Sequence, residues 1–359
     1  MRILDENTIE DIALGAAVLG TGGGGDPYIG KLMARQAIRD YGPVELYTLD
    51  ELEDDDLIVP TAMMGAPTVM VEKMPNGDDI INAFKSVGKY IGQPIKATMS
   101  IEAGGLNSVV PIYVAARLRL PFIDCDGMGR AFPELQMVTH SIYGISSTPF
   151  AMSDERGNTV LMETISNTWT ETFARSVTVN MGAMAMIALY AATAKQLKEA
   201  SIQGTITLAE DIGKTIRRAR LEEADPVKTV REAVGGFEIF KGKISDVARR
   251  TEAGFAKGDA FIDGIDDYTG QKLELNFQNE HLAATIDGKM AVCVPDLIAL
   301  LDIDTGEPIT TEAMRYGYRV AVIGIPCTEK WRTEKGLELV GPRYFGYDVE
   351  YIPVEERYG

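Results

Sequence analysis

The residues best suited to chemistry are acidic and sit beside small, flexible ones. In Phe122-Ile123-Asp124-Cys125-Asp126-Gly127-Met128-Gly129-Arg130 two carboxylates flank one thiol. At a strand end such a trio can bind a hard or borderline metal, or hold a water for general-base attack. Strand alternation places Asp124 and Asp126 on one side and Cys125 on the other. The neighbouring negative charges disfavour a thiolate at Cys125, so the carboxylates are the expected actors. Simple turn capping by the two aspartates is the plainer alternative. Glu102, followed by Gly104-Gly105-Leu106-Asn107, is a second acid or base expected at a strand end; its alternative is a surface carboxylate in a turn.

The run Gly22-Gly23-Gly24-Gly25-Asp26 is the most informative local feature. Four glycines let backbone N–H groups approach a ligand closely, and a following helix N-terminus favours an anion. No Lys-Ser/Thr pair follows, so this is not a P-loop, and a helix precedes it where a dinucleotide fingerprint needs a strand. Asp26 competes for the same N–H groups and weakens a phosphate reading. The alternative is a plain turn between two helices.

Only His140 and His281 are present, which excludes a three-His zinc site or a two-His metal helix within the chain. His140 reads as packed or capping. His281 lies in the polar stretch Asn279-Glu280-His281, which could close over a ligand crevice together with the Pro326-Cys327 loop. The cysteines Cys125, Cys293 and Cys327 have no CxxC spacing and give neither a disulfide framework nor a zinc knuckle. Cys293 reads as core, and Cys327 as a buried thiol more than an exposed one. No GxSxG elbow supports a serine triad.

These residues need elements to position them. Thr8 with Asp11 reads as a capping signal for a first helix ending at Gly20, and Asp26-Pro27 as the start of a second running to about Asp40. Between Pro43 and Asp126 apolar strands (44–49, 57–63, 95–101 and 121–124) alternate with helices (78–91 and 107–118). This is the pattern of an α/β domain with a mostly parallel sheet. Ligands of such sheets sit beyond the carboxyl ends of the strands. One crevice is therefore expected to gather Gly22 to Asp26, Gly65-Ala66-Pro67, Glu102 to Asn107 and Asp124 to Arg130. The acidic run Asp50 to Asp56 reads as a solvated connection, and Glu171 to Ala194 as a buried helix between domains. After helices near 209–223 and 226–234, strands at 237–244, 258–265, 272–277, 289–294 and 318–325 describe a β-rich α+β domain. The expected division is 1–166 and 167–359.

Net charge is −18 over 359 residues, with 45% hydrophobic and 25% charged. That excludes disorder and argues against nucleic acid or an anionic membrane as partner. A DNA-binding regulator further lacks a basic recognition helix. With no apolar stretch long enough to span a bilayer and acidic residues near the N-terminus, the expectation is a cytoplasmic protein.

Five stretches together resemble the S-methyl thiohydantoin desulfurase-like family, which is associated with hydantoinase and oxoprolinase proteins. They are LGTGGGGDPYIG (19–30), the Glu102-Ala103-Gly104-Gly105 turn, DGMGRAFPELQM (126–137), PDLIALLDIDTGEPITTEAMRYG (295–317) and PCTEKWRTEKGLELVGPRYFGYD (326–348). The resemblance implies an α/β domain followed by a β-rich one, and a hydrolase acting on a hydantoin- or thiohydantoin-like five-membered ring. Water would attack the ring carbon bearing sulfur and expel methanethiol or sulfide. Such a site needs a base or metal, an acid and hydrogen-bond donors. Asp126, Asp124 and Glu102 are the expected catalytic carboxylates. The Gly22 to Gly25 amides with Asp26, Asn107 and Arg130 are the expected substrate contacts. No cofactor is specified; oxygen ligation would suit Mg²⁺ or Mn²⁺, and recruitment of His281 or a Cys would suit Zn²⁺. The alternative is a non-catalytic ligand-binding or accessory subunit with a hydantoinase- or oxoprolinase-like partner protein. A homo-oligomer is compatible with either reading.

Overall fold

The computed structural model describes residues 1–359 except 26, 66–68, 70–72, 74 and 253. The first helix, Glu6–Leu19, starts one turn earlier than the Thr8–Asp11 pattern suggests. Asp5 is the cap: its carboxylate accepts the amides of Asn7 and Thr8 at 3.0 and 2.9 Å, and the Thr8 hydroxyl accepts from the Asp5 amide. Asp11 is instead buried and pairs with Arg217 on the helix Thr205–Leu221. The helix stops at Gly20, and the next runs Pro27–Tyr41, so the glycine run joins two helices.

The larger sheet orders its strands Arg2–Leu4, Val44–Tyr47, Phe122–Ile123, Ile95–Ser100, Leu57–Gly65, Met184–Ala188, Phe150–Ser153 and Thr159–Met162. The pairs from Val44–Tyr47 across to Leu57–Gly65 are parallel, linked by helices such as Asp78–Ile91 and Val110–Leu118. Antiparallel strands flank them on both sides, so this α/β domain carries a mixed sheet. The acidic run Asp50 to Asp56 is solvent-facing, with Lys198 bonded to Asp54.

The stretch Glu171 to Ala194, expected as one helix, is a helix and two strands, the second being the short Ala192–Thr193. The helix is Asn167–Asn180; Gly182 and Ala183 then take positive φ angles of 82° and 64°, and Met184–Ala188 enters the sheet as a fully buried strand. A short apolar run reads equally as buried helix or buried strand, and only its pairing with Leu57–Gly65 and Phe150–Ser153 decides.

The second sheet is antiparallel, in the order Lys289–Cys293, Glu280–Ile286, Lys272–Gln278, Phe255–Gly264, Phe237–Glu252, Arg319–Ile325, Leu297–Asp302. Glu280–Ile286 and Leu297–Asp302 escape the sequence pattern. The first opens with two polar residues, and the second is buried nearly throughout and shows no alternation. One face of this sheet contributes Leu282, Leu297 and Ile323 to the same core that holds Ile9, Met99 and Ile123 of the α/β domain. The two domains therefore meet through a continuous apolar interior, and a site at their junction is held rigidly.

Among the described residues no helix is long and apolar enough to cross a membrane.

Candidate active site

The glycine run leaves its helix at Gly20 and folds over the second domain's polar strand start. Gly22, Gly23, Gly24 and Gly25 are all buried. Their lack of side chains admits groups of the protein itself. A Cβ on Gly23 would lie 2.1 Å from Glu280 Oε1, and one on Gly24, at φ 73°, would lie 2.4 Å from the Gly104 Cα. The Gly24 carbonyl accepts the amides of Leu106 and Asn107 at 2.9 and 3.3 Å, stapling the loop to the turn after Glu102. From the other side the Thr21 carbonyl accepts the His281 amide and the Gly22 carbonyl accepts the Thr311 amide, both at 2.8 Å. The loop thus brings Glu102 and Glu280 to one place.

They share a cavity of ≈ 60 Å³ between the domains, room for a handful of waters. Gly24, Gly25, Gly65, Glu102, Asn107 and Met128 line it, so all four expected segments reach the crevice. Asn279 and Glu280 close it from the second domain, and Glu134 and Arg175 add charge to its wall. Asp26, Ala66 and Pro67 lie outside the described residues.

Glu102 is 6% exposed. Its Oε1 accepts from Asn107 Nδ2 at 2.6 Å, and Asn107 is fixed in turn by Met63, whose amide it accepts at 2.8 Å and whose carbonyl it bonds at 3.2 Å. Asn107 therefore orients Glu102, and its N–H groups are spoken for. Burial pushes Glu102 up to about 7, working against the bonds from Asn107 and the Phe132 amide and reinforced by nearby Asp126. Glu280, 3% exposed, is pushed well above the carboxylate range by burial and by Glu102. Arg130 and the Gly24 amide pull it the other way, and its Oε2 has no hydrogen-bond partner among the described residues. Burial raises both carboxyls and Glu102 raises Glu280 further, which gives one ready to ionise near neutrality and one that keeps its proton.

The other expected site residues take different places. Asp126 lies fully buried outside the cavity wall, accepting the amides of Met128 and Gly129 at 2.9 and 2.8 Å, and burial raises it to about 7. Its effect on the cavity is electrostatic, through Glu102. Asp124 leaves the strand and caps the helix Thr205–Leu221, accepting the amides of Ile206 and Thr207 at 2.9 and 3.0 Å. Two aspartates side by side on a strand is therefore a correction: the sheet breaks between them because the helix N-terminus offers Asp124 two unpaired donors. Asp124→Ala is expected to cost about 1 kcal/mol of stability and to leave turnover of any substrate unchanged, a difference that urea unfolding beside a rate assay would register. Arg130 is likewise not free for a ligand. Its Nε donates to the Ala131 carbonyl, Nη1 to those of Pro295 and Asp296, and Nη2 to Thr21 Oγ1 and the His281 carbonyl.

Both histidines are buried and hold neutral forms: burial lowers His140 to about 3 and His281 to about 4. His281 sits beneath Gly22, not in the cavity wall, with Nδ1 donating to the Ile298 carbonyl at 2.8 Å. Cys125 packs on Met99 Sδ. Cys293 is core, and Cys327 is buried against Tyr351, each raised by burial to about 12. The Cys327 loop therefore does not cover the crevice. Among the described residues no cluster of three or more His, Cys, Asp or Glu could hold a metal ion.

Glu280 and Arg175 are the residues that sequence reasoning did not place in roles. Glu280 had a signal: a carboxylate, an amide and an imidazole interrupting an apolar β-rich region. Arg175 had none, being one cation on an amphipathic helix.

Family models describe the chain along its length: the S-Me-THD-like N-terminal domain matches residues 7–164 and the S-Me-THD-like C-terminal domain residues 165–354. The chain belongs to the S-Me-THD-like family. An X-ray structure of a protein from Chromobacterium violaceum is similar over 99% of this chain and 100% of that one, with a TM-score of 0.81 at 22% identity, a likeness of fold. No curated protein matches the chain.

Proposed function

We propose that the chain is a hydrolase of the S-methyl thiohydantoin desulfurase type, with Glu102 and Glu280 exchanging protons with a five-membered ring held between the domains. The observation that carries the reading is the carboxyl pair itself: buried, walled by one cavity, and split in its readiness to ionise. Membership of the S-Me-THD-like family supports a thiohydantoin-related substrate.

The chemistry runs through the two side chains alone. Ionised Glu102 takes a proton from water as the water oxygen bonds to the ring carbon bearing the S-methyl group. Glu280 gives its proton to the ring nitrogen that receives the C=N electron pair. In the second step Glu280 takes the hydroxyl proton of the tetrahedral intermediate as C=O forms and the C–S bond breaks. Glu102 returns its proton to the departing thiolate. Both carboxyls end as they began, one water is consumed and one methanethiol is released. Asn107 positions Glu102, and the buried setting keeps Glu280 protonated until it is needed.

This assignment has a pH signature. Below about 7 Glu102 is protonated and cannot act as base. The value of kcat/KM should fall about tenfold per pH unit on the acid side and level above, until loss of the Glu280 proton brings it down again. Methanethiol release from a 2-methylthio-imidazolone, followed with a thiol reagent across pH, measures it. No release from the isolated chain at any pH would overturn the hydrolase and favour an accessory subunit.

A further inference from the structure

We infer that Arg175 orients the substrate by donating to a ring carbonyl oxygen, and that the site consequently takes uncharged rings and rejects rings bearing a carboxylate. This rests on the ring-hydrolase reading and adds to it the charge class of the substrate.

Arg175 comes from the helix Asn167–Asn180 and lines the cavity opposite no other cation. Its fork is only partly used. Nε donates to Glu171 Oε1 at 2.7 Å, and Nη2 lies 2.7 Å from the same oxygen and donates to the Pro133 carbonyl at 3.1 Å. The guanidinium stacks over the Phe255 ring of the second domain at 4.3 Å. Nη1 has no hydrogen-bond acceptor among the described residues. The side chain is 14% exposed, so the group is held on three sides with one donor-bearing edge left over. A guanidinium fixed in this way loses little freedom when it binds an acceptor.

The charge balance then decides which acceptor. Glu171 is 9% exposed and already neutralises Arg175. The remaining ionisable residues of the wall are Glu102, Glu134 and Glu280, all carboxylic acids and none able to offer a positive charge. A ligand carboxylate would meet no uncompensated cation and up to three carboxyl groups, whereas a neutral carbonyl needs only the donor. A hydantoin-type ring presents such a carbonyl away from the carbon that water attacks.

Titration calorimetry with hydantoin and with hydantoin-5-acetic acid tests this on the full chain, together with methanethiol release. The parent should bind hydantoin at least tenfold more tightly than the acid. Arg175→Gln should weaken hydantoin about tenfold or more and raise KM to match. Because that variant strands Glu171, Arg175→Lys is the second test: it keeps the ion pair, stays folded by thermal melting, and should still weaken hydantoin because a lysine ammonium cannot reproduce the fork. Glu171→Gln, which frees the positive charge, should narrow or reverse the preference against the acid. Parent-like hydantoin binding in both folded Arg175 variants, or a parent that prefers the acid, would overturn the inference and leave the hydrolase standing. A parent that binds neither ring and releases no methanethiol would overturn the hydrolase, and this inference with it.

Discussion

Replacing Glu280 by Gln should lower methanethiol release by about a hundredfold or more while raising the melting temperature above neutral pH. The two effects have one cause. Glu280 is a carboxyl buried beside Glu102 with an oxygen that no described residue bonds, so the fold favours its neutral form. A glutamine keeps the shape and the neutrality and cannot transfer a proton. A carboxyl raised by folding binds more protons in the native than in the unfolded chain between its ordinary value, near 4.5, and its native one. Stability from this group is therefore full at low pH and lost as pH rises through that window. The variant escapes the loss, so its advantage over the parent should be small at about pH 5 and larger at about pH 8. His140 and His281, lowered by burial, contribute the opposite slope, with stability lost as pH falls below their ordinary value. They do so in both proteins, so the difference between the melting curves reports Glu280 together with the change its loss makes at neighbouring Glu102. Unchanged turnover in a folded Glu280→Gln protein would remove Glu280 from the mechanism. A parent-like melting profile would show that the carboxyl is not held neutral.

The second large effect is structural. Arg130→Met should destabilise the chain by about 3–5 kcal/mol, a large part of what a protein of this kind has. The side chain is fully buried, and all five N–H groups donate within the protein, tying Thr21 and Ala131 in the first domain to His281, Pro295 and Asp296 in the second. It also stacks on Phe132 at 4.4 Å. Methionine fills much of the volume but leaves four carbonyls and a hydroxyl without their donor in a dry place. Lysine should not rescue, since its three donors leave from one atom and cannot reach acceptors spread around a planar fork. Urea unfolding reads the result directly, and a loss under about 1 kcal/mol would contradict it. Because Thr21 and His281 also brace the glycine loop, a surviving Arg130→Met protein should lose turnover as well.

What the sequence by itself determined is what local chemistry determines. Asp78–Ile91 and Lys272–Gln278 follow from their apolar periods, and the four glycines with Pro27 mark a tight passage between helices. The scarcity of histidine and scattered cysteines pointed to carboxylates, and Glu102 was legible as one of them because its strand runs straight into a glycine turn. Tertiary structure alone decided the rest. Whether Met184–Ala188 is helix or strand depended on which strands stood beside it. Asp124 and Asp126, two residues apart, were divided between a helix cap and a buried position behind Glu102 by the unpaired amides each one met. Arg130 reads from sequence as a substrate contact because sequence shows a cation but not the five acceptors that surround it. Glu102 and Glu280 are 178 positions apart, and neither carries a local signal naming the other. Their pairing, and the influence of Glu102 that helps keep a proton on Glu280, depends on two glycines: a side chain on Gly23 would collide with that of Glu280, and one on Gly24 with the Gly104 backbone in the turn after Glu102.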